Sequence, residues 1–321
     1  MRKHRGSAVP TVSTARALAR RRLATRQNFV ALGVVLAALT FSPVMRSQAR
    51  LPDGQAGPPA SPAATAPPLD GWGRIITEPA KDRKVAAAPK HDISGIWDPA
   101  LSGNQVLGAG AVPEDGKPEH RLPYTPLGLE TLKRTKPSNG VRSVLPAETN
   151  DPVVTGDPQG MPREDLFELR TTQILQRPEN VVILYQFGRI WRIIWTDGRE
   201  LPKDPEPRWF GYSVAKWVDD YTFVVETTGT DERTWIDRAG RPHSADLRVE
   251  ERFHRTDHDH LELTVTIDDP KMYTKPWVAL DKFVFELQPP SFDVREMIWS
   301  PSEYEQYNQL IGNTASDKDS H

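Results

Sequence analysis

The chain has no cysteine in its 321 residues. That excludes disulfides, catalysis by a protein thiol and a lipid anchor on cysteine, so an exported form must draw its stability from its core. No glycine-rich phosphate loop, dinucleotide fingerprint, nucleophile-elbow serine or His-Glu-x-x-His motif is present. Nucleotide cofactors and the familiar zinc-hydrolase chemistry drop out with them. Long apolar runs are missing too. The longest, FVALGVVLAALTF at 29–41, is short of the roughly 20 residues that span a bilayer.

What remains in the first third has the pattern of an export signal. Residues 1–49 hold nine Lys or Arg and no acid, then that apolar run, then SQA at 47–49, a small-x-small cleavage site. The expectation is a signal peptide over 1–49 and a periplasmic or secreted protein. An uncleaved N-terminal membrane anchor is the alternative, and the only membrane contact foreseen. Arg20, Arg21 and Arg22 suggest the twin-arginine route but sit several residues too far from the apolar run. The whole chain carries 41 basic and 43 acidic side chains. Without its first 49 residues it keeps 32 basic against the same 43 acidic, net −11. An acidic protein of this kind argues against nucleic acid as a partner.

Proline is abundant, at 30 residues, and six of them fall in PDGQAGPPASPAATAPP at 52–68. Such a stretch cannot bury enough apolar surface to order itself. Residues 50–90 therefore read as a disordered linker, 91–312 as a single domain and 313–321 as a disordered tail.

Within that domain the rhythm is mostly strand. ISGIW (93–97) opens it, and an irregular stretch over 98–165 follows, with a short helix at PLGLETLKRT (126–135). Strands are expected at LFELRTTQILQ (166–176), NVVILYQF (180–187), RIWRIIWT (189–196), GYSVAKW (211–217), YTFVVETT (221–228), DLRVEERFH (246–254), HLELTVTID (260–268), KFVFELQ (282–288) and DVREMIW (293–299). Short turns favour antiparallel neighbours. SPSEYEQYNQLIG (300–312) reads as a closing helix with Ser300 as N-cap, Pro301 at the first position and Glu303 completing a capping box. The fold expected is mainly β: an antiparallel up-and-down barrel or strongly curved sheet with long loops and a C-terminal helix.

Four of the eight histidines fall in PHSADLRVEERFHRTDHDH, residues 242–260. Alternation places His254, His258 and His260 at a hairpin tip and edge, which disfavours a metal site. Glu251 is different, because it shares the apolar face of its strand with Val249 and Phe253. A carboxylate there has to be protonated or meet a cation, which makes it a candidate acid or base. Arg192, between Ile190 and Ile194, is a candidate inward cation and partner for it. His243, with Asp246 as a candidate orienting carboxylate, is a second proton carrier. Trp195, Tyr212, Trp235, Tyr273 and Trp277 are candidates to shape a ligand pocket. The proline-rich stretch 198–207 is either a rigid crossover or a lid.

The phrases ISGIW, WTDGRELPKDPEPRWFGYSVAKW, VVETTGTDERTWID, PHSADLRVEERF and TIDDPKMYTKPW together resemble a family of exported, mostly uncharacterised bacterial proteins over roughly residues 91–300. That resemblance implies no particular reaction. Gly95 and Trp97 are similar to the Gly-x-Trp of lipocalin-like (calycin) barrels, which implies a ligand cavity inside a barrel. The long loops at 98–165 and 198–209 and the missing disulfides depart from that pattern. The leading expectation is a small-molecule-binding barrel, acting without a cofactor or metal as an acid/base isomerase, cyclase, lyase or hydrolase on an apolar or aromatic substrate. The rivals are a ligand carrier, a structural envelope protein with a filled barrel, and a metalloprotein using His254, His258 and His260.

Overall fold

A computed structural model describes residues 84–310 except 100–111, 114, 116, 168, 299 and 308. The expected signal peptide, most of the linker and the C-terminal tail lie outside the described residues. No helix among the described residues is long and apolar enough to cross a membrane.

Nine strands among the described residues close into a barrel in chain order: β1 (Gly95–Pro99), β2 (Thr172–Gln176), β3 (Asn180–Tyr185), β4 (Trp191–Trp195), β5 (Tyr212–Trp217), β6 (Thr222–Thr228), β7 (Arg248–Arg255), β8 (His260–Asp268) and β9 (Trp277–Gln288). Antiparallel pairing of β9 with β1, from Ile96 opposite Gln288 to Pro99 opposite Phe285, completes the ring. Four α-helices among the described residues accompany it: α1 (Pro126–Arg134), α2 (Pro152–Thr155), α3 (Arg163–Leu166) and α4 (Pro301–Tyr307).

Alternation explains the strands. In β8, Leu261, Leu263, Val265 and Ile267 are buried while the residues between them are half-exposed. Each such side chain contributes about 1.5–3 kcal/mol on burial. A one-residue slip would turn all four outward, so the register is strongly fixed.

Two strand expectations fail. One is antiparallel pairing throughout: β4 and β5 run parallel, with Trp195 opposite Val214. The segment between them, residues 196–211, includes Pro202, Pro205 and Pro207. It is too long for a hairpin, and its prolines cannot donate to a ladder, so the chain turns back before pairing again in the same direction. Pro205 packs where a Cβ on Gly229 would stand, 2.7 Å away. This stretch is therefore the crossover of the two alternatives. The other failure is DVREMIW, which forms only an isolated bridge from Met297 to Phe187. Once β9 has paired with β1, no sheet edge is left for it. The strand expected over 166–176 also starts late, because Leu166 belongs to α3. The C-terminal helix α4 is shorter than expected.

This connectivity sorts the loops. At one rim the tight turns 177–179, 218–221 and 256–259 join neighbouring strands. The segment before β1 covers that rim: His91 N–H donates to Asp220 O and His258 N–H to Ala86 O. Arg255 fills the same end from inside. It donates to Asp92 O and His258 O at 2.8 Å, and its guanidinium lies 5.0 Å from the Trp97 ring centre. At the other rim gather the β1–β2 segment with α1, α2 and α3, the loop 229–247 and the loop 269–276.

Candidate functional site

Cross-strand register builds the site. Ile174, Ile183 and Arg192 face one another in a row across β2, β3 and β4. Arg192 therefore points into the barrel with the isoleucines, and Trp191 and Trp195 point outward. From the far wall comes Glu251, between Val225 of β6 and Val265 of β8. The two meet as a bidentate pair, Nη1 to Oε1 at 2.9 Å and Nη2 to Oε2 at 2.5 Å, and Glu251 is 0% exposed. Arg192 Nε also donates to Ser213 Oγ at 3.2 Å, and Nη2 donates to Thr227 Oγ1 at 3.0 Å. Desolvating two charges costs several kcal/mol each, and only such fork geometry with added hydrogen bonds offsets it. Burial works against the charge on Arg192, but Glu251, with Tyr185 and Asp165, outweighs it and holds the guanidinium pKa above its ordinary value.

A third ionisable group arrives from the loops. The strap 157–167, which includes α3, enters the barrel at the long-loop rim. Met161 N–H donates to Trp209 O of the crossover at 2.9 Å. Met161 and Leu166 are fully buried, and Met161 Sδ lies 3.5 Å from Arg192 Nη1. Asp165 reaches furthest and sets its carboxyl against Glu251 and Tyr185. Burial first, then the charge of Glu251, pushes its pKa well above the ordinary carboxyl value, with Arg192 opposing. Burial and the neighbouring Glu251 thus favour the protonated form of Asp165, a form that can donate a proton or a hydrogen bond. The Tyr185 hydroxyl is pushed up by burial and then by Asp165. Burial and then Asp165 raise Glu164 as well.

Below Asp165 lies a cavity bordered by Trp97, Tyr185, Phe253, Leu263 and Phe285. Its volume is ≈ 10 Å³, room for about one water, and the surface facing it is apolar. In this conformation the barrel is nearly filled. The arrangement can hold one mobile proton between two carboxyls beside an apolar space.

His243 stands elsewhere. It is buried in the 229–247 loop, with Nε2 2.8 Å from Thr234 Oγ1 and Nδ1 3.2 Å from Ser244 O. Asp246, its expected orienting carboxylate, instead pairs with Lys271 at 3.1 Å. Asp246 lies in an exposed turn just before β7. Burial holds the His243 pKa below its ordinary value. The carboxylate that braces this loop is Asp269, which accepts from Ser244 N at 2.6 Å and Ser244 Oγ at 2.9 Å.

None of the five aromatics expected to shape a pocket borders the cavity. Trp195 lies on the outer face, with the Arg199 guanidinium 3.6 Å from its ring centre. Tyr212 is also outward and donates to Glu206 O at 3.1 Å. Trp235 is buried at the long-loop rim, 5.7 Å from the Arg163 guanidinium. Tyr273 packs between Tyr124 and Trp277, and its hydroxyl donates to Pro242 O at 2.9 Å. The hairpin histidines disperse: His254 contacts Thr222, His258 contacts Asp259 and His260 contacts Asp257. No group of three metal-ligating side chains gathers among the described residues.

Asp165 was not legible as a site residue. REDLF carries no periodic signal, and a four-residue helix has none to give. A buried carboxyl in a loop becomes visible only when the barrel that surrounds it does. Comparison with protein-family models, with curated proteins and with solved structures finds no match.

Proposed function

We propose that the chain is an exported, lipocalin-like barrel that takes a small, largely apolar molecule into its lumen and acts on it by cofactor-free acid/base chemistry. The observation that carries this reading is the convergence of Asp165, Glu251, Arg192 and Tyr185, from four separate elements, on one buried point above an apolar cavity. In this proposal Asp165 gives the proton and Glu251 accepts it back. Arg192 holds Glu251 and balances its charge, and Tyr185 steadies the acid. Ligand entry requires the strap to withdraw, with Trp235 beside it at the rim. His243 serves the framework of that rim.

The test is mass spectrometry on protein purified from the cell envelope after expression with its own N-terminal segment. An extra mass that is present under native conditions and lost on denaturation supports the reading and identifies the ligand class. Once a substrate is in hand, normal turnover by Glu251→Gln would remove Glu251 from the chemistry. A second reading, a structural envelope protein with a filled barrel, is favoured by the small size of the cavity. It predicts no bound mass in any preparation.

A further inference from the structure

The strap 157–167 carries the least satisfied part of the interior. More than half of the buried side-chain polar atoms that lack a hydrogen-bond partner among the described residues lie on it, on Gln159, Arg163, Glu164 and Asp165. Unpartnered buried groups are rare in settled structure and call for a reason. The charge count at the tip supplies one. Two carboxyls, Asp165 and Glu251, face a single cation, and the nitrogens of Arg192 are already engaged by Glu251, Ser213 and Thr227.

We propose that the strap is a gate to the barrel lumen, held shut by one proton shared between Asp165 and Glu251 and released when that proton is lost. With the proton, Asp165 donates to Glu251 and the cluster is neutral. Without it, two carboxylates meet where water cannot screen them, and Oδ2 of Asp165 has no donor to share its charge. The other groups around the acid do not relieve this. Tyr185 on β3 is a neutral hydroxyl, and Ser213 on β5 and Thr227 on β6 are occupied by Arg192. Arg163 donates from Nη1 and Nη2 to the two carboxylate oxygens of Asp151, each at 2.7 Å. Glu164 is a further buried acid. The barrel strands are locked by their ladders, whereas the only regular structure in the strap is the four residues of α3. The strap is therefore the element that yields. The gate gives the proposed ligand site its means of access. Its release needs no ligand, so failure of either idea leaves the other standing.

The experiment is amide hydrogen exchange on the full chain between about pH 6 and about pH 9, corrected for the intrinsic pH dependence of exchange. Protection over 157–167 is expected to fall by about tenfold or more as pH rises, while β7 and β8 keep theirs. Asp165→Asn retains a donor that cannot ionise and is expected to hold its protection flat. Flat protection in the unsubstituted protein overturns the gate. Equal loss in Asp165→Asn overturns it too. So does flattening by Glu164→Gln alone, which would move the trigger to the neighbouring acid.

Discussion

Replacing Arg192 by Met tests whether the barrel interior is organised as described. The substitution keeps most of the side-chain volume and removes the cation. Glu251, fully buried, loses both arms of its fork, and Ser213 and Thr227 lose their donor. Breaking a buried pair by removing one partner costs about 3–5 kcal/mol, mostly the penalty of the charge left behind. The companion Arg192→Met, Glu251→Leu removes both charges, and exchange of a buried pair for apolar groups is often close to neutral. The double variant should therefore recover most of what the single one loses. Urea denaturation at neutral pH, followed by circular dichroism, gives both differences, with the slope of the transition unchanged. A loss below about 1 kcal/mol for Arg192→Met would place the pair in a solvated setting. A double variant no more stable than the single one would refute the coupling across the lumen.

Two further outcomes follow from other parts of the fold. The His243 pKa is held below 6.5 by burial, so as pH falls the unfolded chain takes up the proton first. Its contribution is complete above about pH 6.5 and is lost as the pH drops below that toward the folded value. His243→Gln should show a shallower loss of stability from about pH 7 to pH 5, and equal slopes would refute the assignment. A Cβ on Gly128 would stand 2.1 Å from Met272 O, which presses α1 against the 269–276 loop. Gly128→Ala should cost about 1–3 kcal/mol in thermal or urea unfolding, and no change would mean that the two backbones are not in contact.

The strands were largely readable because a barrel wall imposes one rule on each of them. Val249, Glu251 and Phe253, or Leu261, Leu263, Val265 and Ile267, repeat every second residue because alternate side chains face the same core. That rule also exposed the candidate site. Glu251 stood out as a carboxylate in an apolar series, and Arg192 as the cation with matching phase. Their contact needed the tertiary structure, since 59 residues separate them. The aromatics misled because tryptophan and tyrosine serve equally well on an outer face, as Trp195 does under Arg199, or in packing, as Tyr273 does beside Trp277.

What the sequence determined by itself is local and periodic: the absence of thiol chemistry, the β character, the inward side of most strands and the pairing demand of a buried carboxylate. The tertiary structure decided what depends on closure. Pairing of β9 with β1 denied DVREMIW a place in the sheet, and the parallel pairing of β4 with β5 made the stretch between them, open to two readings in the sequence, a crossover. The same closure created an interior into which the strap could carry Asp165. An acid's burial and its neighbours are properties of the surrounding barrel, and no pattern within REDLF encodes them.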